Sequence, residues 1–296
     1  MTFPIFKKTS LAERIFIIAA LLVVGFIISA VVGVVVALSS KDNNLTELAM
    51  LRISQISSQL LTFVIPPILY VCLVNEKPMR SLGFNRIPLW SLLGIVMMYA
   101  ILPLNNIFAE WNSHLTLPES MASLEKIMQT LQEEASRLTD KMLNIGNASG
   151  LIINLIMIAG LAAFGEELLF RSLLQPFLIK TCKNAHLGII ITSAIFSFIH
   201  FEFYGFMPRL VLGLLLGYMF FYSRSIWVPM IMHFVNNGTA VVLYYLNNRG
   251  ITNIDVETFG QTKLLPLILS IIIMIALFWI VIRCHNKDFD SKKIRS

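Results

Sequence analysis

Two carboxylates and a guanidinium, Glu166, Glu167 and Arg171, stand in a run from Leu151 to Ile179 that is otherwise almost entirely apolar. Ionisable side chains inside an apolar run of this length are costly, and by default they mark a functional site. At helical spacing Glu167 and Arg171 share one face and can neutralise each other, whereas Glu166 is turned about a quarter of a circle away. Glu166 therefore needs a partner from another part of the chain.

Two later apolar runs supply side chains that can pair with Glu166. One run ends near His200, and the other carries His233 and Asn237, which share a helix face at a spacing of four residues. A carboxylate with two imidazoles suits hydrolysis, because such a set activates a water molecule either through a bound metal ion or by general-base catalysis. The chemistry indicated is attack of water on a substrate bond.

The depths of these residues in their helices also favour a single site. At about 1.5 Å per helical residue, Glu166 and His200 lie about 20 and 21 Å from the predicted cytosolic ends of their helices. By the same count Asn237 lies about 18 Å deep and His233 about 12 Å deep. Residues from three separate runs are thus predicted to meet near the middle of a membrane.

The composition predicts an integral membrane protein that is all-α. Of 296 residues, 56% are hydrophobic and only 14% are charged, and the mean hydropathy is +0.76, which is far from a soluble globular composition. We predict a polytopic transmembrane helical bundle of about eight spans. The predicted spans are Ile15–Leu38, Ile56–Val74, Leu89–Phe108, Leu151–Ile179, Leu187–Phe201, Leu210–Tyr222, Ile226–Leu246 and Leu264–Ile282.

The distribution of Lys and Arg predicts that both termini are cytosolic. With the N-terminus inside, fourteen Lys and Arg residues fall at cytosolic ends and eight at the other ends, with Arg171 left uncounted inside the membrane. The first span is too long for a signal-peptide core, so we expect a retained anchor. The formal charge of +6 is explained by anionic lipid heads beside the helices, and no nucleic-acid partner is expected.

Three regions are predicted along the chain. Residues 1–147 form an N-terminal membrane region of three spans and an outer amphipathic segment, which is either a connector or a lid over the substrate. Residues 148–248 form a catalytic core, in which the Gly213-x-x-x-Gly217 pair predicts a face that another helix approaches closely. Residues 249–296 form the last span and a basic cytosolic tail.

The sequence resembles the CPBP family of intramembrane proteases. That family includes type II CAAX prenyl endopeptidases and bacterial proteins linked to bacteriocin processing and immunity. The resemblance covers about Gly150 to Leu246 and implies an intramembrane endopeptidase in which Glu167 and Arg171 order the site. The elements that carry it are Glu166-Glu167-x-x-x-Arg171, Phe196-x-x-x-His200 and His233-x-x-x-Asn237, in this order and about one helix apart.

The resemblance also implies roles for the other site residues. Glu166 activates the attacking water, His200 helps hold that water or a metal ion, and His233 and Asn237 complete the pocket and stabilise the oxyanion. The family is described both as metalloproteases and as glutamate-dependent enzymes without metal. Two versions therefore stay open: zinc held by Glu166, His200 and His233 with Asn237 as oxyanion donor, or the same four residues without metal.

The substrate implied is a membrane-associated peptide or protein, and the location implied is the bacterial cytoplasmic membrane. Two other functions remain as alternatives. One is a non-catalytic membrane scaffold or bacteriocin immunity protein, against which the intact motifs argue. The other is a proton-coupled transporter, against which the lack of an internal repeat in the sequence argues.

Overall fold

The computed structural model describes residues 5–43, 46–256 and 258–294, and every regular element within those ranges is helical. The all-α prediction is therefore confirmed for the described residues. The ends of the two predicted cytosolic termini, residues 1–4 and 295–296, lie outside the described residues. The helices are α1 (Leu11–Asn43), α2 (Glu47–Val74), α3 (Leu89–Ala100), α4 (Leu102–Ser113), α5 (Ala122–Leu143), α6 (Ala148–Cys182), α7 (Ala185–Phe198), α8 (Phe206–Ser223), α9 (Trp227–Asn248) and α10 (Leu264–Ile294), with short helical turns at Pro78–Ser81, Glu119–Met121 and Phe203–Gly205.

The number of membrane spans differs from the prediction of eight. Within the described ranges five helices are long and apolar enough to cross a membrane, and α3 with α4, bent by 44°, adds a sixth if the pair is one span. The protein is thus a multi-pass membrane protein, while the count of eight is not confirmed and the cytosolic position of both termini stays a prediction. The five are Leu11–Ser39, Glu47–Val74, Ala148–Cys182, Phe203–Ser223 and Leu264–Lys287.

When the bent pair is counted as one span, the two predicted spans that are missing are α7, which ends just before His200, and α9, which carries His233. Helix α7 has 14 residues, about 21 Å at 1.5 Å per residue, which is shorter than a hydrocarbon core of about 30 Å. Helix α9 has 22 residues, but His233, Asn236 and Asn237 lower its apolar character. These polar side chains lower the mean hydropathy of α9, and they can lie within a membrane because they contact other helices rather than lipid.

Wide helical turns occur in the two helices that surround Glu166. In α6 the segments Leu155–Leu161 and Leu168–Leu174 are π-helical and lie on either side of Ala162–Glu167. In α2 the segment Gln59–Val64 is also π-helical. Such turns are rare, and they are frequent at functional sites because they re-aim side chains within a helix.

Close helix approach depends on glycine at the positions that the sequence indicates. A Cβ atom on Gly213 would lie 3.1 Å from Ser193 Cβ, and one on Gly217 would lie 2.9 Å from Ile189 Cγ2. Both contacts are with α7, so the prediction of a small-residue face on α8 is confirmed. Gly165 does the same for α2 and α6, since a Cβ atom there would lie 3.0 Å from Phe63 Cβ.

Helix α5 is the predicted amphipathic outer segment, and it docks on the turn that follows His200. Gln129 donates to the Tyr204 hydroxyl at 3.0 Å, and Gln132 accepts from the Tyr204 backbone N–H at 3.3 Å. At its other end Lys141 pairs with Glu47 at the start of α2. The helix therefore connects the N-terminal region to the loop of the candidate site, and its role as a lid stays a prediction.

Candidate active site

Glu167 is the centre of a buried three-residue bridge between α6 and α9. One of its oxygens, Oε2, lies 3.1 Å from Arg171 Nε on the next turn of α6, and the other, Oε1, lies 2.9 Å from His233 Nδ1 on α9. The side chains of Glu167 and Arg171 are fully buried and that of His233 is 4% exposed. The structure therefore contains the predicted ion pair, with an imidazole as its third member.

Arg171 is held by its surroundings as well as by Glu167. Its Nη2 donates to the Gly213 carbonyl at 3.2 Å, and its guanidinium lies 4.5 Å from the centroid of the Phe196 ring. Its Nη1 has no hydrogen-bond partner among the described residues. A cation over an aromatic face is attracted by the ring quadrupole, so Phe196 and Gly213 offset part of the cost of burying this charge.

Glu166 points away from this bridge toward both imidazoles. Its Oε2 atom lies 4.0 Å from His200 Nε2 and 3.9 Å from His233 Nε2. Its Oε1 accepts a long hydrogen bond of 3.5 Å from the Gln59 amide of α2. Three helices and one loop thus bring a carboxylate and two imidazoles together, as the sequence predicts, at separations too long for a direct hydrogen bond.

The hydrogen bonds at the far side of each ring define its tautomer. His200 Nδ1 lies 2.8 Å from the Phe196 carbonyl oxygen, and His233 Nδ1 lies 2.9 Å from the Glu167 carboxylate. A carbonyl and a carboxylate only accept, so each Nδ1 carries a proton, and the neutral form of each ring presents a lone pair on Nε2. Both lone pairs face Glu166, where they can accept hydrogen bonds from water or bind a cation.

Asn237 makes its hydrogen bonds beside this cluster. Its amide nitrogen donates to the Ile158 carbonyl of α6 at 3.2 Å, and its oxygen accepts from Asn236 at 3.1 Å. Ile158 lies in the first π-helical segment of α6, two turns before Glu166. One amide hydrogen of Asn237 remains for a further acceptor, so its predicted role as an oxyanion donor stays a prediction.

The donor chemistry of the cluster fits a zinc ion, but its spacing is wide. Two unprotonated imidazole nitrogens and a carboxylate, each ring held by a hydrogen bond at Nδ1, are the ligands of a catalytic zinc site. Zinc bonds of about 2.0–2.1 Å bring ligand atoms to about 3.3 Å from one another, whereas Glu166 lies 3.9 and 4.0 Å from the two nitrogens. Across the described ranges no group of three His, Cys, Asp or Glu side chains stands at metal-ligand spacing.

Sequence reasoning missed the contributions of Gln59 and Phe196. Gln59 is 5% exposed and lies more than a hundred residues before its partner Glu166, outside the predicted catalytic core. The signal available was a polar side chain in an apolar run, but such residues often serve helix packing. Phe196 binds His200 through its carbonyl and Arg171 through its ring, and neither contact has a sequence signature.

Fold and site together define a multi-pass membrane protein with a Glu–His–His cluster. Residues 148–239 match the family model of the Type II CAAX prenyl endopeptidase Rce1-like proteins. This part of the chain is similar to that family, which confirms the resemblance predicted from the motifs.

Similarity to a curated relative is confined to part of each chain. The chain is 33% identical over 88 residues to "Uncharacterized protein YpbD" of Bacillus subtilis (strain 168). The matched region is 28% of this chain and 42% of the relative, so the chain spans about two-fifths of that protein. No solved structure matches the sequence.

Loss of Arg171 tests the buried bridge. We expect Arg171→Met to lower the free energy of unfolding by about 3–5 kcal/mol, because it leaves the Glu167 charge buried and poorly compensated. The double variant Glu167→Leu with Arg171→Met should recover part of that loss. Arg137→Met is the matched control, since Arg137 and Glu134 form an exposed pair, and exposed pairs contribute little to stability.

The measurement is the unfolding midpoint and folded yield of each variant in detergent. Equal losses for Arg171→Met and Arg137→Met would show that the buried pair contributes no more than a surface pair. Glu167→Leu alone completes the cycle, and a loss in the double variant equal to the sum of the losses in Glu167→Leu and Arg171→Met would show that the two charges are not coupled.

Proposed function

We propose that this protein is an intramembrane endopeptidase that hydrolyses a peptide bond with a water molecule activated by Glu166. The observation that carries the proposal is the convergence of two bare imidazole nitrogens on one carboxylate, at 3.9 and 4.0 Å. A water oxygen between these groups is within hydrogen-bond reach of the carboxylate and of an imidazole. The Rce1-like domain supports the same class of reaction.

In the first step, water adds to the carbonyl carbon of the scissile peptide. Glu166 accepts one proton from the water, and the lone pair on the Nε2 of His200 or His233 accepts a hydrogen bond from its second O–H, which orients the oxygen for attack. The O–H bond breaks as the C–O bond forms. Gln59 holds the other oxygen of Glu166 and keeps the carboxylate turned toward the water.

In the second step, the tetrahedral intermediate collapses. The free amide hydrogen of Asn237 is the proposed donor to the oxyanion, a role that is worth most where water is excluded. As the C–N bond breaks, Glu166 returns its proton to the leaving nitrogen, so the carboxylate is regenerated. Glu167 and Arg171 act as positioning residues, because they fix the tautomer and direction of His233 without touching the reacting atoms.

The proposed substrate is a membrane-associated peptide or protein, since the site lies among helices that face lipid. The proposed location is the bacterial cytoplasmic membrane, with the Bacillus relative as supporting evidence. A bacteriocin-immunity role has no support in the contacts described and stays a prediction from the resemblance.

A metal-assisted form of the same proposal uses the same residues. Glu166, His200 and His233 would hold a zinc ion, which would polarise the substrate carbonyl and acidify the bound water. The observation in its favour is the pair of bare Nε2 atoms directed at a carboxylate. The spacing of these donors favours the form without metal.

Replacement of the proposed base tests the reaction. Glu166→Gln keeps the shape of the side chain but cannot accept a proton, so we expect hydrolysis to fall by a factor of about 10²–10⁴ while folding is retained. Glu134→Gln, on the exposed face of α5, is the control and should cleave normally. Quantitative proteomics of membrane peptides from cells with each variant identifies substrates, and cleavage is then measured with purified protein. Full activity in Glu166→Gln would exclude this mechanism.

Elemental analysis decides between the two forms. Because the donor spacing is wide, we expect purified active protein to contain much less than one zinc per chain and to keep its activity after treatment with a strong chelator. One zinc per chain, lost in both His200→Ala and His233→Ala, would instead establish the metal-assisted form.

A further inference from the structure

Helix α5 has one apolar face that runs along its length. At 3.6 residues per turn, Leu124, Ile127 and Leu131 lie within about 60° of one another around the helix axis. Lys126 and Glu133 lie on the opposite side of the helix, which is charged. The sequence predicts this amphipathic character, but it does not indicate what the apolar face contacts.

The protein covers this face in the second half of α5 and leaves it open in the first half. Met142, which lies at the same angle as Leu124, is 8% exposed, and its backbone carbonyl accepts from Asn154 of α6 at 2.7 Å. In the first half, Leu124, Ile127 and Leu131 are 42%, 57% and 51% exposed. The first half therefore extends past the edge of the helix bundle, and its open face is directed to the same side as the face that rests on the bundle.

Both halves of α5 are tied to residues at the ends of membrane spans. Gln129 donates at 3.0 Å to the hydroxyl of Tyr204, the second residue of the span that contains α8. Lys141 pairs with Glu47, the first residue of the span formed by α2. These two positions on α5 are about 18 Å apart at 1.5 Å per residue. The axis of α5 therefore lies along the membrane surface, at the depth where the spans begin.

The contact with Tyr204 also fixes the rotation of α5 about its axis. Gln129 and Gln132, which bind the turn at Tyr204, lie about 80–140° around the helix from Leu124. Glu133 lies about 180° from Leu124. With the turn on one flank of α5 and the charged side directed to water, the apolar face is directed toward the bilayer.

We propose that the first half of α5 is an interfacial helix that binds the bilayer surface through Leu124, Ile127 and Leu131. Interfacial helices place their apolar face about 5–10 Å into the boundary between headgroups and acyl chains. Segment Ala122–Leu143 has four acidic and three basic residues, so its binding follows from apolar contact rather than from attraction to anionic lipid. This contact holds α5 against the turn that follows His200, and it does not depend on the proposed reaction.

Spin labelling in phosphatidylcholine vesicles tests this contact in the full chain. A nitroxide is attached to Leu124→Cys, Ile127→Cys or Leu131→Cys, each alone, in a background in which the three free cysteines are replaced by serine. Power saturation compares collisions with oxygen, which concentrates in lipid, and with a nickel chelate, which stays in water. We expect each label to lie about 5–10 Å into the boundary between headgroups and acyl chains.

Glu133→Cys, on the charged side of α5, is the matched control, and its label should collide mainly with the nickel chelate. Each labelled protein is first compared with the cysteine-free protein by its unfolding midpoint in detergent. Three separate positions keep the test valid if one variant is unstable. Labels on the apolar face that collide with the nickel chelate as often as the control label would overturn the proposal.

Two further measurements separate the bilayer from other partners of this face. In vesicles that also contain phosphatidylglycerol the depth of the labels should be unchanged, and insertion only in the presence of this anionic lipid would contradict binding by apolar contact. Pulsed dipolar spectroscopy of Ile127→Cys should show no coupling between chains. Coupling that is lost on dilution with unlabelled protein would show that a second copy covers the face, and the proposal would then be wrong.

Discussion

The structure depends on one buried carboxylate that binds two different partners. Glu167 contacts Arg171 within α6 and His233 on α9, and all three side chains are almost fully buried. A buried ion pair by itself is weak evidence for stability, because desolvation can exceed the Coulombic gain. Here Glu167 also fixes a proton on Nδ1 of His233, so the buried pair orients a residue of the candidate site.

The packing of the neighbouring helices makes this arrangement possible. Gly213 and Gly217 let α7 and α8 approach closely, and the Gly213 carbonyl of α8 accepts a hydrogen bond from Arg171 of α6. Glu166 and Glu167 are adjacent on an α-helical segment, so their carboxylates face different partners, one toward Gln59 and the imidazole Nε2 atoms and the other toward Arg171. Helix geometry thus separates the residue that would react from the residue that positions.

Part of this could be predicted from the sequence. The pairing of Glu167 with Arg171 follows from a spacing of four residues in an apolar run, and the meeting of Glu166 with His200 and His233 follows from similar depths. The contact between Glu167 and His233 could not be predicted, because it depends on the rotation of α9 about its axis. The count of eight spans is not confirmed at α7 and α9, since an apolar segment that is short or faces other helices resembles a lipid-facing span in composition alone.

The proposed reaction requires a lone pair on Nε2 of His200 and of His233, because that atom would accept a hydrogen bond from the attacking water. Nitrogen NMR of protein labelled at histidine, assigned by His200→Gln and His233→Gln, reports which ring nitrogen carries hydrogen. We expect hydrogen on Nδ1 of both rings, because Nδ1 of each faces an acceptor. A ring that carries hydrogen on Nε2 and none on Nδ1 would show that the proposed arrangement is wrong.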